Sequence, residues 1–362
     1  MKNTFGDSLT VTLFGESHGE AIGAVLDGIA PGVKVDCAFI EKQLLLRRPA
    51  GAISTSRKEA DKFRILSGVV NGFTCGTPIC IVIENGDIKP EDYSAFDDMA
   101  RPSHADFTAR QKYHGFEAKS GGGHFSGRIT AALVAAAGIV IPALNRKGVY
   151  IGTHIKKLGG VSDRDFADFK QDIAYLSDAR FAVLDTGVES KMRDKIVAAA
   201  NEGDSIGAIL ETAVYGMPAG VGEPWFDTVE GEISHAVFSV PAIKGIEFGA
   251  GFGISDMKGS NANDPFVIEN GEIKTASNNN GGVLGGITSG MPIVFRCAVK
   301  PTPTICKEQK SVDMKNMTAA NITASGRHDP CIAHRARVVV DSVTALALAD
   351  SLTVRFGTDW LA

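Results

Sequence analysis

The stretch Ser126-Gly-Arg-Ile-Thr-Ala-Ala-Leu-Val-Ala-Ala-Ala-Gly-Ile-Val-Ile-Pro-Ala-Leu-Asn-Arg146 carries no charge between Arg128 and Arg146. Ser126 is a suitable helix N-cap, and the alanine-rich run predicts a helix to about Leu144. Its 17 uncharged residues are few for a membrane span and include Gly138 and Pro142. We therefore expect a helix that is buried inside the protein.

Strands and further helices are predicted on both sides of this run. Strand-like composition recurs at Ser8–Phe14, Ile79–Ile83, Ile206–Tyr215, Thr228–Val240 and Pro292–Val299. Helical patterns occur at 36–47, with Asp36 as the cap, at Glu189–Ala200 and at Asp341–Val354. The strands come in clusters, without regular strand–helix alternation. The pattern favours an α+β layered fold over a doubly wound parallel sheet.

The composition is that of a globular protein, with 44% hydrophobic and 22% charged residues in 362. Ample apolar surface argues against disorder, and 41 glycines without a period of three exclude collagen. Six cysteines in a chain of this length are too few for a disulfide scaffold. The glycine excess indicates tight turns, or backbone that approaches a ligand closely.

The net charge of −5 makes nucleic acid an unfavourable partner. The first residues lack the apolar core of a signal peptide, and the cysteines show no zinc-binding spacing. We therefore expect a cytoplasmic protein with reduced thiols, no membrane contact and no metal site. Length alone suggests two or three domains.

One short motif suggests a different class of enzyme. Gly15-Glu16-Ser17-His18-Gly19 matches the nucleophile motif of α/β-hydrolases. That motif requires a helix after the serine, whereas residues 20–32 predict another strand and a turn. A hydrolase that uses Ser17 is therefore a weak alternative. The chain contains no complete Gly-x-Gly-x-x-Gly motif, no P-loop and no His-Glu-x-x-His motif.

Four histidines lie in glycine- or proline-bounded loops, three of them with an arginine nearby: His18, His104, His124 and His328. Histidine titrates near neutral pH and suits proton transfer, and arginine suits carboxylate and phosphate. Each residue taken alone is more often an ordinary surface group. Their repetition indicates an enzyme that acts on a small polyanion.

Two further loops fit such a site. Lys300-Pro301-Thr302-Pro303-Thr304 follows a predicted strand, and its hydroxyls and amine suit a phosphate. The loop 278–287 contains Asn278, Asn279, Asn280 and several glycines, so backbone amides can approach a flat ring or a phosphate. A rigid strand exit and a plain hairpin connection are equally good interpretations.

In this order and spacing, the loops resemble the chorismate synthase family over nearly the whole chain, from about Phe5 to Leu352. The segments that carry the resemblance are Phe14–Gly19, Arg47–Pro49, Arg64–Gly68, Arg101–Phe107, Val240–Gly249, Gly281–Gly290, Lys300–Thr304 and Gly326–Cys331.

The resemblance implies a lyase of the shikimate pathway, which leads to the aromatic amino acids. It would convert 5-enolpyruvylshikimate 3-phosphate to chorismate and phosphate by a 1,4-anti elimination. The reaction requires reduced FMN without net redox change. The two carboxylates and the phosphate of the substrate account for the several arginine loops.

Carried over by position, three residues resemble catalytic groups of the family. His18 corresponds to the acid that protonates the departing phosphate. His104 corresponds to the histidine at the flavin's pyrimidine edge, and Asp329 to the carboxylate near flavin N5 that assists removal of the C6 proton.

The resemblance also implies two sets of binding residues. The FMN contacts would be His124, Phe125, Ser126, Pro241, Ala242, Gly285, Lys300, Pro301, Thr302, Pro303, Thr304 and Arg327. The substrate contacts would be Arg47, Arg57, Arg101, Arg128 and Arg327.

The chain departs from the commonest family pattern in two places. Where the family often has Arg-Ser-Ser-Ala-Arg-Glu-Thr, this chain has His124-Phe-Ser-Gly-Arg-Ile-Thr130. A family arginine a few residues after Pro49 is replaced within the stretch Ala50–Ile53, and Arg57 is a candidate substitute.

The family fold is a single large α+β domain, here 1–362, with helices packed between two antiparallel sheets and four copies in a homotetramer. It replaces the length-based expectation of two or three domains. The match leaves no room for a reductase domain, so reduced FMN is expected from an external flavin reductase activity, and NADP is associated with the family. A non-catalytic flavin- or phosphate-binding homologue is the alternative function.

Overall fold

The computed structural model describes residues 2–49, 51–54, 60–86, 98–118, 121–323 and 329–362. Its helices are α1 (Cys37–Arg47), α2 (Asp106–Tyr113), α3 (Thr130–Arg146), α4 (Phe169–Leu176), α5 (Thr186–Asn201), α6 (Val229–Ser239), α7 (Gly259–Ala262) and α8 (Ala333–Phe356).

The strands of the first half are β1 (Thr4–Phe5), β2 (Thr10–Gly15), β3 (Ala21–Asp27), β4 (Phe63–Ile65), β5 (Val69–Val70), β6 (Phe73–Thr74), β7 (Ile79–Glu84), β8 (Tyr150–Leu158) and β9 (Val161–Ser162). Those of the second half are β10 (Ala208–Tyr215), β11 (Ile243–Phe248), β12 (Phe266–Glu269), β13 (Glu272–Thr275), β14 (Val283–Leu284), β15 (Ile287–Thr288), β16 (Ile293–Val299), β17 (Gln309–Asp313) and β18 (Thr318–Ile322).

Two five-stranded antiparallel sheets form the outer layers. The first has the strand order β1-β2-β3-β7-β4, and the second has the order β11-β16-β10-β8-β9. Helix α3 packs on β2, β3 and β7 of the first sheet, α8 packs on β8 and β10 of the second, and the two helices contact each other. The predicted α+β fold, with helices between two antiparallel sheets, is confirmed. One hydrophobic core reaches from Leu9 to Leu361.

Helix α3 is buried on all sides, as its composition predicts. Every residue from Thr130 to Leu144 is buried except Pro142. By length and composition, the helical segment 127–146 could cross a membrane. However, 83% of its most apolar stretch is buried inside the protein. The small side chains allow close packing: a Cβ on Gly138 would lie 2.8 Å from Cγ1 of Ile40 in α1.

Most predicted elements are present, with shifted ends. Asp36 caps α1 by accepting a hydrogen bond from the amide of Phe39. Ser126 caps a short 3₁₀ turn, Gly127–Ile129, and α3 begins directly after that turn. Helix α8 begins eight residues before the predicted Asp341, because its first turns carry two arginines and a histidine that hide the apolar pattern.

The predicted strand Thr228–Val240 is wrong, because residues 229–239 form helix α6. Thr228 caps this helix by accepting from the amide of Gly231. Its buried residues, Val229, Ile233, Ala236 and Val237, have helical spacing. The β-branched residues at the ends of the segment favour a strand, but burial of this face against α8 and β11 decides the outcome.

We predict that Gly138→Leu destabilises the fold, because the added side chain must enter the space held by Ile40. Overpacking of this kind typically costs about 1–3 kcal/mol. Urea unfolding should show the loss, with Ala198→Leu on an exposed part of α5 as the control. Equal unfolding midpoints for the two variants would contradict close packing of α1 on α3.

Candidate active site

A cavity of about 1320 Å³ opens between the first sheet, the starts of α3 and α8, and the connection from α6 to β11. Eight lysine and arginine side chains and five aspartate and glutamate side chains line it. The cations are Lys2, Arg47, Arg48, Arg101, Arg128, Lys244, Lys300 and Arg335. The cavity is therefore locally basic in a chain whose net charge is −5.

The cavity brings together many of the predicted site residues. Its lining includes His104, Asp329, Arg47, Arg101, Arg128, His124, Phe125, Ser126, Pro241, Ala242, Lys300, Thr302, Pro303 and Thr304. These residues come from segments spread over most of the sequence. Only the layered fold brings them to one place.

The loop of His104 is tied to the exit of β16. Nε2 of His104 lies 2.5 Å from the Thr304 hydroxyl. The ammonium group of Lys300 donates to the carbonyl of Ser103 at 2.8 Å, and Ser103 has a left-handed φ of 60°. The imidazole is thus positioned by a strained loop that the Lys300–Thr304 segment holds in place.

The Lys300–Thr304 segment also supplies a buried polar group. The Thr302 hydroxyl is buried and has no hydrogen-bond partner among the described residues. Such a group is costly unless a ligand or water satisfies it. Beside it, Ala242 adopts a φ of 78° and accepts the amide of Lys300 at 2.9 Å. Burial, together with nearby Lys244, lowers the pKa of Lys300.

His18 lies at the edge of the cavity and contacts Gly121, which lines it. A Cβ on Gly121 would come 2.4 Å from Cε1 of the imidazole, so only glycine allows this approach. The buried hydroxyl of Ser17 lies 3.0 Å from Nδ1 of His18. When this hydroxyl donates to Nδ1, the neutral ring carries its proton on Nε2.

The strand-and-turn prediction after the Gly-x-Ser-x-Gly match is confirmed, since β3 (Ala21–Asp27) follows it. The α/β-hydrolase elbow requires a helix at this point. Ser17 is fully buried. The geometry therefore gives no support to a serine nucleophile.

His124 fastens the glycine loop to the first sheet. Its Nδ1 donates to the carbonyl of Gly15 at 2.8 Å, because a carbonyl can only accept. Phe125 next to it is half-exposed and packs edge-on against Tyr113, with ring centroids 6.1 Å apart. The altered segment thus keeps a structural link to the strand that precedes His18.

Arg101 is held by a carboxylate of its own loop. Its Nε and Nη2 donate to the two oxygens of Asp106 at 2.9 and 2.6 Å. Nη2 also donates to the carbonyl of Gly121 at 2.9 Å. Arg101 therefore joins the His104 loop to the glycine loop, and its predicted contact with substrate stays a prediction.

Asp329 is paired with Arg335, a residue that the sequence did not single out. Nη1 of Arg335 donates to Oδ2 of Asp329 at 2.7 Å. Nε of the same side chain donates to the carbonyl of Arg47 at 2.8 Å. One arginine thus connects the proposed base to the segment that carries a proposed anion-binding residue.

Asp61 is the other residue that sequence reasoning missed. It is 3% exposed and lines the cavity between Arg47, Arg48 and Arg128. Its neighbourhood, Lys58-Glu-Ala-Asp-Lys62, is rich in charge and looks like an ordinary surface segment. No sequence pattern distinguishes a buried carboxylate from an exposed one there.

Among the described residues, three predicted site residues are absent from the cavity lining: His18, Gly285 and Pro301. Gly285 lies in the exposed turn between β14 and β15, and Pro301 is outside the lining although its neighbours belong to it. Arg57 and Arg327 lie outside the described residues, as does His328. The binding roles proposed for Gly285, Pro301, Arg57 and Arg327 stay predictions.

A family model described as chorismate synthase matches residues 9–353. A chorismate synthase of Dehalococcoides mccartyi is 44% identical over 360 residues, which is 99% of this chain and 98% of that protein. The chorismate synthase of Pyrococcus abyssi is 43% identical over 350 residues, or 97% of each chain.

The chain belongs to the chorismate synthase family. A crystal structure described as chorismate synthase is 28% identical to this chain and superposes with a TM-score of 0.77. The match covers 98% of this chain and 94% of the chain in that structure. The resemblance inferred from the loops is therefore confirmed. The cavity described above is the candidate active site of this family member.

A buried histidine supports the wall of this cavity. His334 is 3% exposed, its Nε2 lies 2.7 Å from the Ser54 hydroxyl, and its ring stacks on Phe181. Its neighbour Arg335 lines the cavity. Burial, reinforced by the charge of Arg335, lowers the pKa of His334 to about 4.

We predict that His334 makes the fold acid-sensitive. Between about pH 6.5 and 4, the unfolded chain binds a proton that the folded imidazole does not, so stability falls as pH falls, by at most about 1.4 kcal/mol per pH unit. His334→Gln should flatten this part of the curve in urea unfolding from pH 4.5 to 7.5. Burial raises the pKa of Asp341 to about 6. Its effect on the pH dependence of stability is the same in both proteins and cancels when the two curves are compared. Parallel curves would contradict the prediction.

Proposed function

We propose that this protein converts 5-enolpyruvylshikimate 3-phosphate to chorismate and phosphate, as a carbon–oxygen lyase of aromatic biosynthesis. The observation that carries the proposal is the convergence of His104, Asp329, Arg47 and Arg128 on one basic cavity in a chain of this family. No feature of the described site favours the non-catalytic binding protein considered above.

Charge suits the cavity to this substrate. Two carboxylates and a phosphate need several cations in a site shielded from water, where each interaction is stronger than in bulk solvent. Arg47 and Arg128 are 5% and 6% exposed. Their burial fixes the guanidinium groups before the substrate arrives, so little reorganisation accompanies binding.

The residues also fit reduced FMN. The buried hydroxyl of Thr302 offers a hydrogen bond to a polar edge, and Lys300 and Thr304 lie on the same segment. The apolar wall formed by Val240, Pro241 and Ala242 suits a flat ring. When bound, reduced FMN supplies transient electron density to the substrate as phosphate leaves.

His18 is the proposed proton donor. In the protonated ring, Nδ1 donates to the Ser17 hydroxyl. Transfer of the Nε2 proton then neutralises part of the charge that develops on the leaving phosphate and leaves a neutral imidazole. The close contact with Gly121 restricts the ring to one side of the glycine loop. Arg47 and Arg128 in the cavity lining are proposed to hold an anionic group of the substrate by charge.

Asp329 is the proposed acceptor of the C6 proton. Its ion pair with Arg335 at 2.7 Å fixes the position of the carboxylate. A positioned carboxylate is what a general base requires. His104, held by Thr304, is proposed to lie at the pyrimidine edge of the flavin and to set its protonation.

Other features of the enzyme are proposed on the family resemblance. They are reduced FMN from an external flavin reductase activity, an association with NADP, a cytoplasmic location and a homotetramer. Self-association has support in the β12–β13 hairpin, where Phe266, Ile268 and Ile273 are 67%, 74% and 69% exposed. Such apolar exposure is typical of surfaces that are covered in an assembly.

Anaerobic incubation with 5-enolpyruvylshikimate 3-phosphate and chemically reduced FMN tests the function. We expect chorismate and phosphate in equal amounts, with FMN still reduced at the end. Oxidised FMN alone should give no turnover. If neither product forms with reduced FMN, the proposed activity is wrong. If oxidised FMN alone supports turnover, the cofactor assignment is wrong.

We predict that His104→Asn lowers kcat by about 10²-fold or more, the usual size of a proton-transfer contribution, while Tm stays within a few degrees. His114→Asn is the control, since His114 is exposed and has a left-handed φ of 57° that asparagine tolerates. Steady-state kinetics and thermal unfolding of both variants provide the measurement. A loss of activity matched by loss of stability would make His104 a structural residue.

A further inference from the structure

Asp61 occupies the centre of a buried arginine cluster at the polar end of the cavity. Nη2 of Arg47 donates to its Oδ2 at 2.8 Å, and Nη1 of Arg128 donates to its Oδ1. Nε of Arg48 lies 3.6 Å from Oδ2. The side chain of Asp61 has no exposed surface, so its carboxylate interacts with these arginines and not with solvent.

The cluster joins three segments that are far apart in sequence. Arg47 is the last residue of α1, Arg128 lies in the turn before α3, and Asp61 precedes β4. Asp61 itself has a left-handed φ of 48°. Aspartate and asparagine tolerate this conformation better than most residues. Backbone geometry and charge therefore restrict the position to very few side chains.

The same cluster is linked to the loop of His18. Nε of Arg128 donates to Oδ1 of Asn85 at 3.0 Å. The amide group of Asn85 donates to the carbonyls of Glu16 and Gly19 at 2.9 and 2.8 Å. A chain of hydrogen bonds thus runs from Asp61 through Arg128 and Asn85 to both ends of the loop.

One carboxylate does not neutralise three guanidinium groups. Burial raises the pKa of Asp61, but Arg47 and Arg128 outweigh this effect and hold the pKa below its usual range, so the side chain is ionised. The cluster keeps a positive excess on the cavity wall. Without the carboxylate, the two buried arginines would repel each other and lose their shared acceptor.

We propose that Asp61 is a positioning residue for catalysis: its carboxylate holds Arg47 and Arg128 side by side so that they bind one anionic group of the substrate together. This rests on the proposed function, because it assigns these arginines to 5-enolpyruvylshikimate 3-phosphate. Asp61 does not touch the substrate. It fixes the spacing of the two guanidinium groups, and through Asn85 it fixes their relation to His18.

The test compares Asp61→Asn with Asp172→Asn. Asparagine keeps the shape and the left-handed backbone of residue 61 and removes only the charge. Asp172 is 8% exposed and binds Arg164 through both oxygens, away from the cavity lining, so its variant removes a similar ion pair. Each protein is assayed for kcat and KM, and for the shift in Tm that the substrate produces.

We expect Asp61→Asn to raise KM at least about 10-fold, equivalent to about 1.4 kcal/mol, with a smaller change in kcat. The shift in Tm caused by substrate should shrink. Asp172→Asn should keep the wild-type KM and the wild-type shift, even where its own Tm is lower. A lowered Tm in Asp61→Asn with unchanged KM and unchanged substrate shift would show a merely structural role and overturn the proposal.

Two further measurements test the proposal if the Asp61→Asn variant does not fold or the wild type is inactive. If Asp61→Asn does not fold, Asp61→Glu retains the charge but displaces the arginines by one methylene, and a wild-type KM in that variant overturns the proposal. If the wild type gives no chorismate, the proposed function fails. The substrate-induced shift in Tm then still reports whether Asp61 governs anion binding.

Discussion

The close packing of α3 against α8 between the two sheets is the constraint on which the rest of the molecule depends. Both helices are buried over most of their length, and α3 presents mainly alanine, glycine and β-branched side chains. Small side chains allow the layers to approach closely, and apolar ones make their burial favourable. Because both helices begin at the cavity, their packing also determines where Arg128 and Arg335 lie.

The start of each long helix reinforces the basic character of the site. Thr130 of α3 and Ala336 of α8 both line the cavity, and the amino-terminal end of a helix carries partial positive charge. The buried cations are nevertheless not left uncompensated. Asp61, Asp106 and Asp329 each bind an arginine of the cavity. The carboxylates set the geometry of the arginines, while the remaining excess of positive charge serves the anionic substrate.

Much of the fold follows from local patterns, whereas the organisation of the site does not. The Asp36 cap and the apolar run after Arg128 are decided within a few residues, and both predictions are confirmed. Residues 229–239 have composition compatible with either a strand or a helix, and the helix forms because its apolar face packs on α8. Asp61 binds Arg47 and Arg128, which are 14 and 67 residues away, and Arg335 donates to the carbonyl of Arg47, which is 288 residues away. Such pairings arise from the topology, which a local pattern does not encode.

The departure at residue 124 illustrates how a family site tolerates change. The resemblance implies an arginine in many family members where this chain has His124, and the histidine donates a hydrogen bond from Nδ1 to the carbonyl of Gly15. That bond connects the glycine loop to the end of β2, immediately before the loop that carries His18. Gly121, in the same glycine loop, must keep its hydrogen side chain, since a Cβ there would meet the His18 ring at 2.4 Å. The position that touches His18 is therefore strictly constrained. At position 124, the histidine fastens the loop by a hydrogen bond to the end of the strand, and its proposed contact with FMN stays a prediction.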